Sequence, residues 1–343
     1  MTLGSIIRYI KWQFAKKFYS KQAYDWWKVK LRNSDLKNEL IIPLTQYTTN
    51  TKNTKDHKRV ICMHDGKLKT GGLVDRLRGI ISVYSICKEY NIDFKILFTQ
   101  PFPLDRYLIP NSAEWRVSQN ELHYNIKETD ICLIESINGS KYEAQKQDEW
   151  FRNELKKSYC EFHIYTNAHF SYNRDFAKLF AELFKPSPLL LQLIDKEKKH
   201  LGENYISTSF RFLDLLNDFN ETAGGNIILS KTEQSQLINK NIEQLNKLHN
   251  KYPQRKILVN SDSSTFLQEA AKLDFTYIIP GEISHVDSNA TIKENTHDKT
   301  FTDFFMIANA EDIFLFITGD MYNSGFPFAA AQLYNKPFHI IRF

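Results

Sequence analysis

The sequence predicts an α/β chain made of two parallel-sheet domains, preceded by a basic helical extension. Three observations carry that prediction. From Arg59 onward, short apolar runs alternate with helix-length amphipathic stretches, a rhythm that implies βαβ crossovers. The alternation breaks at Lys185-Pro186-Ser187-Pro188 and then restarts, since proline removes a backbone donor and clashes inside a helix. Charge divides the chain as well. The first 60 residues hold 13 Lys+Arg against 4 Asp+Glu, a net +9, and the remainder is left at −4.

The elements follow in order. Val60–Met63 reads as a strand, then a loop with Gly66, Gly71 and Gly72, then a helix from Leu73 to Tyr90. Lys95–Thr99, Ile131–Ile134 and Glu161–Tyr165 are further strands, and Asp175–Phe184 is a helix. In the second half Tyr205–Phe210 is a strand, and Ser230-Lys231-Thr232-Glu233 is a capping box that opens a helix to Tyr252. Strands at 256–260, 276–279, 313–317 and 338–341 alternate with helices at 264–273, 302–310 and 325–334. The expected architecture is two Rossmann-like domains, 58–190 and 191–343, facing across a cleft, with 1–57 as the extension and its linker. In such sheets ligands bind at the carboxyl ends of the strands.

Composition removes several classes. With 343 residues, 42% hydrophobic and 25% charged, the chain has ordinary globular character. No apolar run approaches the ~20 residues that span a bilayer. Twelve Gly, ten Pro and four Cys exclude collagen-like and disulfide-scaffold proteins. The acidic body excludes nucleic acid as a partner, because duplex recognition needs a basic face to neutralise phosphates. Cys62, Cys87, Cys132 and Cys160 form no C-x-x-C pair. They are expected to be free thiols, with Cys62 and Cys132 buried in strands. With no secretory leader visible, the expected location is the cytoplasm.

The extension interleaves Ile6, Tyr9, Trp12, Phe18, Trp26 and Trp27 with lysines at 11, 16, 17, 21, 28 and 30. Two readings stay open. Residues 5–31 form either an amphipathic helix at an anionic membrane surface, which places the protein at the inner membrane face, or a helix packed on the protein's own core.

Four polar clusters fall between strands and helices. Gly71-Gly72 with Asp75 and Arg76 opens the first helix, where glycines permit close backbone approach and free N–H groups face a ligand. The equal alternative is a structural turn with surface ion pairs. The segment lacks both G-x-G-x-x-G and a closing G-K-[ST], so it is neither a dinucleotide fingerprint nor a P-loop. Ser209-Phe210-Arg211-Phe212-Leu213-Asp214 closes the Tyr205 strand. Arg211 can present a planar fork to a phosphate, held by Asp214, or the two form a local surface pair. Asn260-Ser261-Asp262, readable as a ligand contact or as a helix cap, and the group Asp303, Tyr322 and Ser324, with Tyr322 and Ser324 as candidate ligand contacts, complete the set. No D-x-D is present, so no metal is expected.

These clusters, in this order, resemble the fucosyltransferase superfamily of GT-B glycosyltransferases: protein O-fucosyltransferases, core α1,6-fucosyltransferases and nodulation-factor fucosyltransferases. Gly71–Gly79 is similar to that group's glycine-rich turn, and Ser209–Asp214 to its H-x-R-x-x-D peptide. Ser261-Asp262 is similar to its later Asp-turn, and Asp303–Glu311 with Ser324–Ala329 to its C-terminal block. The likeness runs from about residue 58 to the end. It implies a GT-B fold and an inverting, metal-independent transfer of fucose from GDP-fucose to a hydroxyl of a glycan or lipid-linked saccharide, as in polysaccharide biosynthesis. By the resemblance Arg211 binds the β-phosphate, Asp214 orients it, Asp262 lies by guanine or ribose, Ser324 lies by diphosphate or sugar, and Asp75 approaches sugar and acceptor. Two positions depart: Ser209 stands where the group has His, and Phe212 replaces a basic residue. Another nucleotide sugar on the same fold, or a non-catalytic glycan- or nucleotide-binding protein, are the alternatives.

Overall fold

The computed structural model describes residues 47–48, 57–68, 71–125, 127–134, 141–170, 175–218, 227–284, 286 and 295–343. The basic segment 5–31 lies outside the described residues. Along the first half run β1 (Arg59–His64), α1 (Leu73–Glu89), β2 (Asp93–Phe98), β3 (Leu108–Pro110), β4 (Thr129–Ile134), α2 (Lys141–Glu154) and β5 (Glu161–Thr166). Then come α3 (Phe176–Leu183), β6 (Phe184–Pro186), α4 (Pro188–Leu201), β7 (Tyr205–Phe210), α5 (Lys231–Lys251) and β8 (Lys256–Ser261). The chain closes with α6 (Ser264–Ala270), β9 (Thr276–Tyr277), α7 (Asp298–Asn309), β10 (Ile313–Ile317), α8 (Gly325–Leu333) and β11 (Phe338–Arg342).

The chain divides into two compact units, Met1–Pro103 with Glu114–Arg174, and Leu104–Ala113 with Asp175–Phe343. Both sheets are parallel, in orders β2-β1-β5-β4 and β11-β10-β7-β8-β9. The division therefore falls before α3 rather than near 190. The physical reason is β3, which leaves the first stretch of chain to pair antiparallel with β6. A second difference is α4. Its Ser187 cap accepts from Leu190 N, and Pro188 sits in its first turn, so Pro186-Ser187-Pro188 starts a helix as well as ending a segment.

The first unit's sheet carries a polar column on one face. Arg59 forms a buried two-bond pair with Glu161 (3.0 and 2.5 Å). Glu161 also accepts from His123 N at 2.8 Å and holds His163 Nε2 at 2.6 Å. The other imidazole nitrogen, Nδ1, meets the Tyr47 hydroxyl. Burial pushes the Glu161 carboxyl up, but the His163 and Arg59 bonds win and hold it at about 2. Period-two alternation puts Tyr165 on the same face, where it joins Ile61, Met63, Leu97 and Ile131 in an apolar cluster.

In the second unit, β7 is buried at every position. Ile206 and Phe210 face a cluster with Ile257, Val259, Phe266, Phe314 and Phe316. On the opposite face the Tyr205 hydroxyl donates to Met306 O of α7 at 2.6 Å, and Ser207 and Ser209 share that face by alternation.

Glu161→Gln leaves the buried Arg59 guanidinium without its counter-charge. The expected loss is about 3 kcal/mol or more in unfolding free energy, measured by urea denaturation at neutral pH; a loss under about 1 kcal/mol would show that the pair carries little of the unit's stability.

Candidate functional site

Strand order places the site in each sheet. In the second unit β7 leads to β8 and β9 on one side, and the chain then returns to β10 on the other. The reversal between β7 and β10 is a topological switch point, where the loops diverge and leave a crevice at the carboxyl ends. Two of the sequence clusters meet here. Arg211 directly follows β7, and the 318–325 segment follows β10. The two are joined backbone to backbone, Tyr322 N donating to Arg211 O at 2.9 Å. Ser324 caps α8, its hydroxyl accepting from Phe326 N at 3.3 Å. The Tyr322 side chain is exposed.

The partner of Arg211 is not the one expected. Its Nε lies 3.4 Å from Asp262 Oδ2, so the carboxylate that holds the guanidinium is Asp262 rather than Asp214. Asp262 is buried and accepts from Phe212 N at 2.9 Å and Leu213 N at 2.8 Å. Phe212 is right-handed helical (φ −94°, ψ −25°), and Leu213 has φ +53°. A right-handed residue followed by one with positive φ turns successive N–H groups into one concavity that fits an anion. Asp262 fills it. Burial raises its carboxyl above the usual range, against the Arg211 charge and the two amides. Asp214 instead sits buried in the 3-10 turn Leu213–Leu216. Ser209 is buried, and its hydroxyl makes no hydrogen bond among the described residues. Phe212 is fully buried against Phe266 (ring centroids 5.1 Å apart), which makes it a core residue.

Asp303, on α7, is also buried. Lys299 one turn earlier pairs with both its oxygens, at 3.0 and 3.1 Å. Burial raises the Asp303 carboxyl, opposed by Lys299 and by a hydrogen bond with Asn260. Lys299 was missed, although a Lys-x-x-x-Asp spacing on a helix was visible in the sequence. Beside these residues a pocket of about 510 Å³ opens between α6 and the segment that follows β9.

In the first unit the order β2-β1-β5-β4 puts the reversal between β1 and β5. Gly71 has φ +73°, open to glycine at little cost; a Cβ there would meet Asp75 Oδ2 at 3.0 Å. Gly72 caps α1, and its N–H donates to Asp75 Oδ2 at 3.2 Å. Arg76 is buried and donates to Gly71 O and Gln100 O, both at 2.9 Å, which ties the glycine turn to the end of β2. Asp75 is exposed. Asp65, the other carboxylate at this edge, lies 3.1 Å from Lys67 Nζ and 3.2 Å from the Tyr165 hydroxyl. His64 is buried against Phe98. Burial, with the Arg76 charge adding to it, pushes His64 well below its usual pKa.

Cys62, Cys87 and Cys132 are buried free thiols, and Cys160 is half-buried. Asp130, Cys132 and Glu154 bring potential metal-ligating atoms within 4.8 Å of one another. Glu154 is paired with Lys157 and the Cys132 thiol approaches Asp130 at 3.9 Å. Among the described residues no helix is long and apolar enough to cross a membrane.

No protein-family profile matches the sequence, and no curated protein sequence matches it. Solved structures do. The NodZ α-1,6-fucosyltransferase soaked with GDP-fucose aligns at a TM-score of 0.54 with 12% identity, over 84% of this chain and 95% of that one. The NodZ structure from Bradyrhizobium gives 0.50, 12%, 84% and 96%. A variant of Arabidopsis thaliana FUT1 in complex with GDP gives 0.50 and 11%, over 92% of this chain and 77% of that one. The fold is thus the GT-B-like α/β fold of these proteins: parallel sheets with helical crossovers in two units.

His64 supplies a pH signature. Its folded pKa lies below the unfolded value of about 6.5, so its stabilising contribution is present above pH 6.5 and is lost as pH falls toward the folded value. Each proton taken up on unfolding costs up to about 1.4 kcal/mol per pH unit. Between pH 6.5 and 5, wild type should lose stability more steeply than His64→Phe; parallel slopes would show that the imidazole is not held neutral.

Proposed function

We propose that the protein is a glycosyltransferase that moves fucose from GDP-fucose to a hydroxyl of a glycan or lipid-linked saccharide, with inversion and without a metal. One observation carries the reading: Arg211 stands at the carboxyl end of β7, at the switch point, held there by Asp262. A guanidinium so placed is a permanently charged, oriented fork for a phosphate. The N-terminus of α8, capped by Ser324, lies at the same edge. Among solved proteins of this fold, one is in complex with GDP and another was soaked with GDP-fucose, and the order of motifs follows the fucosyltransferase pattern.

The acceptor oxygen attacks the anomeric carbon from the face opposite the leaving group. The bond from that carbon to the β-phosphate oxygen breaks, and its electron pair stays on the phosphate. Arg211 stabilises the charge that grows there. Asp262 is a positioning residue, since it touches Arg211 and the turn that carries it. Ser324 and Tyr322 flank the diphosphate and sugar. Asp303 belongs to the donor-binding set through Lys299. Asp75, the exposed carboxylate at the glycine turn, is assigned the acceptor's proton, with Gly71, Gly72 and Arg76 shaping that turn. Residues 5–31 supply a peripheral contact with the cytoplasmic membrane face, next to a lipid-linked acceptor.

Arg211→Lys keeps the charge and loses the fork. Turnover of GDP-fucose should fall by about 100-fold or more, while the melting temperature without ligand stays near wild type. Release of GDP with a panel of saccharide acceptors measures it. A folded Lys variant with near wild-type rates would overturn the diphosphate role. Nucleotide affinity without turnover on any sugar donor would favour the binding-protein alternative, for which the buried Phe212 and the non-basic Ser209 speak.

A further inference from the structure

Strand β11 closes one end of the second sheet, and among the described residues it pairs with β10 alone. Ile313 N donates to Pro337 O at 3.1 Å, and Phe343 N donates to Ile317 O at 3.3 Å. The odd-numbered residues of β11 thus turn their backbone groups toward β10. Those of Phe338, Ile340 and Arg342 point outward, since successive residues of a strand alternate in direction. Large apolar side chains stay exposed around this edge: Ile340 is 45% accessible, Phe343 39% and, on α8, Phe328 42%. The Phe328 and Phe338 rings lie 5.3 Å apart. An open edge is a template for another strand, and proteins usually blunt it with a bulge, a proline or a covering loop. From Phe338 to Arg342 there is no proline, and the register with β10 runs without a bulge.

We infer that β11 is a self-association edge, on which β11 of a second copy of this chain lies antiparallel about Ile340. The pattern of the edge itself selects that occupant. With a two-fold axis perpendicular to the sheet, Ile340 faces Ile340 and Phe338 faces Arg342 at both ends, so no charge meets its like. The outward N–H groups of each copy meet the outward carbonyls of the other, which satisfies the whole edge. Side chains fit the same register. Phe338, Ile340 and Arg342 share the face of the strand that α8 covers, so each Arg342 guanidinium reaches the Phe338 ring of the other copy, with Phe328 behind it. A foreign strand shares the hydrogen bonds but has neither the Ile340 self-contact nor the two Phe338–Arg342 ends. The join also abuts the candidate site: the Thr318 hydroxyl donates to Phe343 O at 2.5 Å, which ties β11 to the segment that carries Tyr322 and Ser324. The assignment is independent of the donor reading.

The test is the mass of the full chain in solution, from sedimentation over about 1–100 µM. Wild type should sediment as two chains at the upper end of that range. Ile340→Lys sets two ammoniums against each other on the axis and should weaken the association by about 100-fold or more. Its circular dichroism should match wild type, because residue 340 lends no backbone group to the β10 ladder. A cysteine variant reads the register directly and serves if the lysine variant does not fold. Directly opposed Cα atoms of a hydrogen-bonded antiparallel pair lie about 5.5 Å apart, within the span of a disulfide. Under diamide, Ile340→Cys should therefore give a disulfide-linked pair beyond whatever the native thiols of wild type give. His339→Cys, which faces Ile341 of the other copy, should not. A wild type that stays a single chain throughout overturns the proposal. So does a two-chain species that Ile340→Lys leaves intact, and so does cross-linking of His339→Cys in place of Ile340→Cys.

Discussion

The carboxyl edge of the second sheet is organised around the buried carboxylate of Asp262. Its oxygens take the amides of Phe212 and Leu213 and the Nε of Arg211. Each bond constrains something different. The amides hold the chain in a turn that requires Leu213 at φ +53°, a conformation costly for a residue with a side chain. The ion pair aims the guanidinium. A negative charge that satisfies both at once makes the turn and the cation a single rigid feature, so the strand end is preorganised before any ligand arrives. The cost is a desolvated carboxylate, offset by three donors.

The same logic recurs in the first unit with another chemistry. Arg59, Glu161, His163 and Tyr47 form a chain of buried groups in which each polar atom named has a partner. Networks of this kind specify one register, because a strand shifted by one residue would turn Glu161 and His163 to the other face.

Most of the secondary structure was legible, since parallel strands buried on both faces read as compact apolar runs between helices. Tyr205–Phe210 and Ile313–Ile317 match residue for residue. Helix ends moved by a few residues, and α7 starts at Asp298, one turn before the apolar run from Phe301 that marked it in the sequence. Other features depended on contacts between distant segments. Asp214 is three residues from Arg211 and looked like its partner, yet a residue at the end of a strand lies nearer to the end of the neighbouring strand than to its own following turn. The β7–β8 register sets Phe210 opposite Ser261 and so brings Asp262 beside Arg211. No local pattern encodes that neighbourhood. The same holds for β3 with β6, whose pairing moves the division between the units. Lys299 was legible by helical spacing; its place by the pocket depends on the segment after β9.

The tie between Tyr322 N and Arg211 O uses main-chain atoms only. Side-chain identity at 322 is therefore uncoupled from the anchoring of Arg211, and this exposed aromatic can be exchanged without loosening that tie. Sequence change has its freedom there, in a position whose backbone is committed and whose ring is not.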